Sequence, residues 1–448
     1  MLLNIFLGLI GLGFLVIIHE WGHFIAARLS GVEVEAFSVG WGPVLLTTTR
    51  KGTEYRLSAI PLGGYCKMKG SETLQKAIED NKDEIPKEPG SFYAAAWWKR
   101  IIILAAGPAV NVITAAIFFY IVFSIGFSYE TYPNRIVVAS QDDSPAAQAG
   151  LADGDYITGI NSTEVNSFED IRREISTSAG RTLTVEYMRD DRPRTTEVTP
   201  ELAPETGIGR IGIYPYIQPV ISDRPLPEFW SATSIEPGDR ITKINSSEID
   251  HAVQFEQYMR GIAESDLPVS IELERNGRSI SISISRLPSD PQQLSLPWKT
   301  VTAGSPSAGP GGRLGLAVAE TYDTVILAAR GLQILFSGVQ VTQAVSGPIQ
   351  ITHMVGEVAT RSFAQGLASG AVAVLQFLGL ISVILAFMNM LPIPALDGGQ
   401  IMLTIYERIS PKPVKPRFVA RYQNIGAIIV LLLIAFAVTS DLLFLFQG

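Results

Sequence analysis

The sequence predicts a polytopic α-helical membrane protein: four transmembrane helices, a membrane-associated β-hairpin, and two small α+β units outside the membrane. Three observations lead there. Only 17% of the 448 residues are charged and 47% are hydrophobic, whereas an ordinary soluble domain carries about 25% charged residues. Four apolar stretches each approach the roughly 20 residues that cross about 30 Å of hydrocarbon. The region between the second and third stretch is the opposite in character, with 17 basic and 29 acidic residues from 130 to 323. The net charge of −8 argues against a nucleic-acid partner, which would need a basic face. A single cysteine, Cys66, excludes an internal disulfide framework and a multi-cysteine metal site.

The first span, 1–30, is uncharged up to Ile18. It lacks the basic start and small-residue cleavage site of a signal peptide, so a retained helix is expected. The loop 31–97 that follows is basic, as is the loop 401–422 with Arg408, Lys412, Lys415, Arg417 and Arg421. Both belong on the cytoplasmic side by the positive-inside rule. The spans 98–128, 367–400 and 423–446 then leave both termini and the middle region on the outer side. Within the first loop, Val39 to Leu46 and Glu54 to Ile60 alternate like a hairpin dipping into the membrane from the cytoplasmic side, or lying in the cytoplasm as a simple hairpin. Residues 291–321 read as a linker, flexible at TVTAGSPSAGPGG (Thr300 to Gly312). Residues 322–366 read as amphipathic helices on the outer membrane surface, because Arg330 interrupts Tyr322 to Gln343 and a fifth span would separate the two basic loops.

The outer region holds a repeat. SPAAQAGLADGDYITGINSTEV (Ser144 to Val165) and SIEPGDRITKINSSEI (Ser234 to Ile249) share Gly-Asp, an apolar residue, two variable residues and Ile-Asn. A short helix and alternating strands are expected after each. The pattern resembles tandem PDZ domains, at 133–215 and 216–290, the second lacking the usual small-residue helix before its Gly-Asp turn. Such units serve as spacers, or capture peptides by strand addition at an exposed sheet edge.

His19-Glu20-Trp21-Gly22-His23 is an HExxH sequence. On a helix, residues four apart share a face, so both imidazoles can meet one zinc with Glu20 beside it as a base. Ionisable groups inside an apolar span are costly and mark function. A catalytic zinc takes three protein ligands and leaves the fourth position to water. His251, in the outer region, and His353, before the third span, read as surface residues. The better third ligand is Asp397, in Asn389-Met390-Leu391-Pro392-Ile393-Pro394-Ala395-Leu396-Asp397-Gly398-Gly399. Its prolines and glycines break a helix, which is tolerated at membrane depth only where the backbone lines a cavity. Depth agrees: His19 follows about 25 Å of helix and the Asp397 segment about 30 Å, both running inward.

The sequence here resembles the site-2 protease family, in its bacterial regulator-of-sigma-E protease branch. The likeness rests on HEWGH, NMLPIPALDGG, AGPAVN (Ala106 to Asn111), the tandem units and SGPI (Ser346 to Ile349), and covers nearly the whole chain. It implies an intramembrane zinc metalloprotease in the bacterial cytoplasmic membrane, with ligands His19, His23 and Asp397 and catalytic Glu20, working near the cytoplasmic leaflet. Asn389 is implied to hold the substrate backbone, together with the hairpin around Gly40, Trp41 and Gly42 and the Pro392 and Pro394 segment. Gln400 stands where family members often have histidine. The implied partners are the lipid bilayer and a single-pass transmembrane substrate already cut outside the membrane, an anti-sigma factor or a signal-peptide remnant. The outer pair is expected to act as a gate or size filter, with capture of newly exposed carboxyl tails as the rival. A zinc transporter would need acids or histidines on both sides of the site, and a PDZ-bearing scaffold would not need HExxH.

Overall fold

The structure, a computed structural model, describes residues 2–139, 144–203, 208–304, 308–336, 348–364, 366–411 and 413–447. The chain forms two compact units, residues 1–127 with 305–448, and residues 128–304.

In the first unit, four helices are long and apolar enough to cross a membrane: α1 (Leu2–Ser30), α3 (Trp97–Ile125), α10 (Leu367–Asn389) and α12 (Pro416–Gln447). These are the four stretches expected. Between α1 and α3 lie strands β1 (Val34–Arg50) and β2 (Thr53–Met68) and the short α2 (Ser71–Glu79). The two strands make more than a hairpin. Residues 36–39 are paired on both sides, to 64–67 and to 54–57, while 44–50 pair with 53–58. The strands therefore bend at Gly40, Gly42 and Gly63, whose φ angles of +88°, +84° and +80° suit glycine. A four-segment sheet results, in the order 44–50, 53–58, 34–39, 64–68.

After α10 the helix breaks over 390–396 and resumes as α11 (Asp397–Ile409). Pro392 and Pro394 offer no amide donor, and Gln400 Nε2 closes the break by donating to Pro394 O at 2.6 Å. Gly398 and Gly399 lie so close to the Met390 and Ile393 carbonyls that a side chain would collide with them. Arg100 of α3, buried, donates to Glu407 of α11 at 2.6 Å and ties the two helices together.

Two expectations need correction here. Helices α8 (Pro310–Phe336) and α9 (Pro348–Ala364) are packed against the spans rather than free on a surface. Ala317 of α8 is buried with Ala115 and Phe119 of α3 and Val383 of α10. Gly8 of α1 receives the Thr352 backbone, and Gly356 of α9 receives Asn4; small residues permit this close approach within membranes. The linker reading fails over part of its length, because Val301–Gly304 is a strand, described below. Residues 337–343 of the expected surface helix, and Ser346 and Gly347 of SGPI, lie outside the described residues.

The second unit opens with β3 (Ser128–Thr131) and β4 (Ile136–Val138), then α4 (Pro145–Gln148), β5 (Tyr156–Ile160), β6 (Thr163–Glu164), α5 (Phe168–Ser176), β7 (Leu183–Arg189) and β8 (Arg192–Val198). It continues with β9 (Glu201–Leu202), β10 (Gly209–Arg210), β11 (Ile213–Pro215), α6 (Glu228–Ser231), β12 (Arg240–Ile244), β13 (Ser247–Glu248), α7 (Ala252–Gly261), β14 (Val269–Arg275), β15 (Arg278–Ile284) and β16 (Val301–Gly304). The repeat is visible as two sheets of the same order, β6-β5-β7-β8 and β13-β12-β14-β15. It also explains the shared Gly-Asp. Asp155 and Asp239 are both buried, accept from the backbone of Ala152 and Glu236, and take a two-pronged bond from Arg189 and Arg275, the last residues of β7 and β14. The shared Asn161 and Asn245 adopt φ near +50° and accept from the next strand's Thr184 and Ser270 amides. These repeated residues lock each sheet.

Before its Gly-Asp turn the second repeat has, in place of a small-residue helix, a single turn with the sequence Glu-Phe-Trp-Ser. It is α6, and it presents the fully buried Trp230. That unit also runs past 290: Leu294, Leu296 and Trp298 are buried in its core, and Trp230 Nε1 donates to Leu294 O at 3.0 Å. Strand β16 then pairs with β3, closing the unit's two ends on each other.

Candidate metal centre

Helix α1 places His19 and His23 one turn apart, both buried. Their Nε2 atoms lie 3.1 Å from each other. Asp397, the first residue of α11, brings Oδ2 to 3.1 Å from His19 Nε2 and 3.4 Å from His23 Nε2. A tetrahedral zinc with ligand distances of about 2.0–2.1 Å has ligand–ligand edges of about 3.3–3.4 Å, so the triangle has the right size for one face. Asp397 Oδ2 is buried and without a hydrogen-bond partner in this geometry, the state expected of an atom meant for a cation. Among the described residues this is the single group of three such donors. The donor set fits zinc.

The surroundings prepare the donors. His23 Nδ1 donates to Ile103 O of α3 at 2.8 Å, leaving Nε2 with its lone pair toward the site. His19 Nδ1 faces the side-chain amide of Asn111 at 3.3 Å, and the other amide atom, Oδ1, is buried without a partner. A half-turn of the amide, which exchanges its nitrogen and oxygen, presents the oxygen to Nδ1–H and gives His19 the same arrangement as His23. Ser382 of α10 donates to Asn111 O at 2.9 Å and holds this stretch of α3. Gly107 supplies space: a methyl group there would lie 2.5 Å from His23 Nε2 and 2.7 Å from His19 Nε2. Gly22, the glycine of HEWGH, lets α1 seat on Ala106, whose carbonyl would meet an added methyl at 2.5 Å.

The Cys66 backbone of β2 lies beside the Glu20 carboxylate. Gly63 of the same strand packs against Val16 of α1. The 64–68 segment therefore runs beside the carboxylate, whereas Gly40 and Gly42 occupy the bend. Trp41 is half exposed and packs near Tyr65, with ring centres 5.5 Å apart. Asn389 donates back to Leu385 O at 3.0 Å within its own helix. Pro392 is exposed and Pro394 accepts the Gln400 bond. His251 is a correction: it is buried and caps α7, its Nδ1 accepting from Gln254 N at 3.3 Å. His353 lies 3.7 Å from Glu357, one turn along α9. Gly107 and Asn111 stand in a stretch that the sequence singled out, but their contacts with α1 were not legible there.

A His-His-Asp triangle with both imidazoles buried and a carboxylate beside it has the donor set of a metallopeptidase, in a chain with four helices long and apolar enough to cross a membrane. The sequence profile of Peptidase family M50 matches residues 7–433, and the chain belongs to that family. It is a zinc metalloprotease. A protein from Treponema pallidum (strain Nichols) named for zinc metalloprotease activity is 36% identical over 100% of both chains. The Regulator of sigma-E protease RseP of Escherichia coli (strain K12) is 30% identical, covering 97% of each chain. Among solved structures, the PDZ domain of the SdrC-like protein from Listeria monocytogenes matches 19% of this chain and 90% of its own, at 28% identity and a TM-score of 0.17.

Proposed function

We propose that this enzyme hydrolyses peptide bonds within or beside the transmembrane segments of single-pass membrane proteins, with His19, His23 and Asp397 holding the zinc and Glu20 as general base. The observation that carries this reading is the donor triangle on helices whose length and composition suit a bilayer. When bound, zinc polarises the scissile carbonyl and makes water a nucleophile near neutral pH. Glu20, beside the Cys66 backbone, takes the water proton and returns it to the leaving amine. Glu20→Gln in the full chain should keep zinc by elemental analysis and abolish cleavage of a reporter with a transmembrane segment. Retained cleavage would refute the assignment.

A transmembrane helix hides its carbonyls in hydrogen bonds, so the substrate must unwind and find new partners. Strand addition to the β1–β2 sheet supplies them, and the 64–68 edge is the one beside Glu20. In a Cys66→Ala background, cysteine at Met68 should cross-link to cysteine near the scissile bond of a substrate. Cross-linking from Leu46, on the opposite edge, would assign capture to the wrong side. Asn389 at the end of α10, the Pro392–Pro394 break, and Gly40, Trp41 and Gly42 at the bend complete the proposed substrate channel.

The two basic loops put the catalytic end of α1 at the cytoplasmic leaflet of a bacterial cytoplasmic membrane, with the PDZ-like units and both termini outside. A relative named Regulator of sigma-E protease RseP supports reading this enzyme as part of sigma-factor control by intramembrane proteolysis. The substrate is then an anti-sigma factor, or a signal-peptide remnant, first trimmed outside the membrane. The paired units act as a size filter. Deleting 128–304 should allow cleavage of untrimmed proteins, whereas a required tail receptor predicts that cleavage is lost.

A further inference from the structure

Beyond the catalytic site, a cavity of about 330 Å³ opens between the C-terminal end of α1 and the β1–β2 turn. One wall is apolar, formed by Phe24, Ile25 and Leu29 of α1 with Tyr55; the other carries Arg28, Arg50 and Lys51, and no carboxylate lines it. The cations elsewhere on this sheet are matched: Arg56 with Glu54, Lys67 with Glu35 and Glu72, Lys69 with Glu33. Among the described residues, Arg28, Arg50 and Lys51 form no ion pair. Arg28 is held instead by neutral groups, donating to Thr53 Oγ1 at 3.1 Å and to Lys51 O at 3.3 Å, with its guanidinium over the Phe24 ring. Three cations are thus gathered at one point with nothing to neutralise them.

The place matters as much as the charge. The cavity lies just past His23, at the end of the candidate membrane span Phe6–Ser30. Its 25 residues, at about 1.5 Å rise each, cover somewhat more than about 30 Å of hydrocarbon, so the cavity opens at the level where a bilayer's headgroups begin. Leu29 is 84% exposed, a poor arrangement in water and a good one against acyl chains. We propose that this groove binds an anionic phospholipid, its phosphate on Arg28, Arg50 and Lys51 and its glycerol and upper acyl chain against Leu29 and Ile25. Charge complementarity selects an anionic over a zwitterionic lipid, and the apolar wall selects a lipid over free phosphate. The bound lipid braces the turn of the sheet against the helix that carries the two histidines.

The test counts lipids retained by the full-length protein in neutral detergent, by native mass spectrometry at low ionic strength, with phosphatidylglycerol or phosphatidylcholine added. Each cation near an anionic headgroup is worth about fivefold in affinity. Arg50→Gln with Lys51→Gln, two exposed turn residues, should therefore weaken phosphatidylglycerol binding tenfold or more. The matched pair Lys76→Gln with Lys82→Gln, in the same loop, should change it less than twofold, and phosphatidylcholine should bind weakly to all three proteins. Equal losses in both pairs, or equal binding of the two lipids, would overturn the proposal. So would displacement of the lipid by millimolar inorganic phosphate, which would make this a free-anion site. A pocket-pair defect in binding an acidic juxtamembrane peptide, with lipid binding intact, would assign the cavity to substrate and overturn the lipid.

Discussion

Gly107→Ala puts a methyl group 2.5 Å from His23 Nε2 and 2.7 Å from His19 Nε2. Ordinary contact begins near 3.4 Å, so the rings must retreat by about 0.9 and 0.7 Å, or α3 must withdraw by a similar distance. Neither adjustment is easy. His23 is held by Ile103 O, and Gly22 already seats α1 on Ala106. A displacement near 1 Å in a catalytic constellation costs on the order of a hundredfold in rate, and the donor triangle has no spare room, since its edges already match zinc. The expected result is a fall of about a hundredfold in kcat/KM on a transmembrane reporter, with at least tenfold weaker zinc retention against a chelator. The preference of a helix interior for alanine over glycine, about 1 kcal/mol, offsets only part of an overpacking cost of about 1–3 kcal/mol, so stability should fall by no more than about 2 kcal/mol. Gly379→Ala, whose nearest neighbours would be atoms of the Phe119 ring, is the control and should keep full zinc. Full zinc and activity within twofold in Gly107→Ala would refute the geometry.

Asn111→Leu removes the acceptor from His19 Nδ1 and should weaken zinc binding about 10- to 100-fold, while Asn111→Asp should largely restore it; equal zinc affinity in both variants would contradict the orienting role. Arg189→Ala strands the buried Asp155 carboxylate and should destabilise the β6-β5-β7-β8 sheet and its core by about 3–5 kcal/mol. Arg172→Ala, which breaks an exposed pair with Glu169, should cost below about 1 kcal/mol, and comparable urea midpoints for the two would undercut the lock. Burial holds the His251 imidazole below its ordinary pKa of about 6.5 despite the nearby Asp153 and Asp250, with Arg135 adding to the lowering. The unfolded chain therefore takes up a proton that the folded chain refuses, and stability is present above about pH 6.5 and lost as the pH falls. Hydrogen exchange at the α7 amides, corrected for intrinsic rate, should quicken from pH 7.5 to 5.5. His251→Asn, which keeps a capping side chain, should flatten that response; an unchanged slope would assign it elsewhere.

Much of the fold was legible because it is local. Spans declare themselves by twenty apolar residues in a row, and the Pro392–Gly399 break declares itself by residues that cannot continue a helix. HExxH places its two imidazoles by helical pitch alone. The misreadings share one cause, contacts between residues far apart in the chain. Gly40 and Gly63 were visible as glycines, but the double pairing of 36–39 depends on register across the sheet. Helices α8 and α9 were read as amphipathic because Arg330 interrupts the apolar run, whereas their packing depends on small residues that fit by shape, Ala317, Gly356 and Gly8 of α1. Trp298 looked like part of a linker until it was found in the core of the unit before it.

The sequence by itself determined that this is a membrane protein with a His-Glu-His motif inside a span, since the cost of burying those groups in lipid leaves function as the reason for keeping them. It also offered Asp397 as the third donor, by chemistry and depth. Only the tertiary structure decided that the three donor atoms close to within 3.4 Å. It showed too that Ile103, Gly107 and Asn111 of α3 turn and accommodate the rings, and that the end of β2 reaches Glu20. Those facts depend on helix packing at the scale of tenths of an ångström. Hydropathy is blind to that scale, because a glycine that makes room and a glycine that merely bends read the same along the chain.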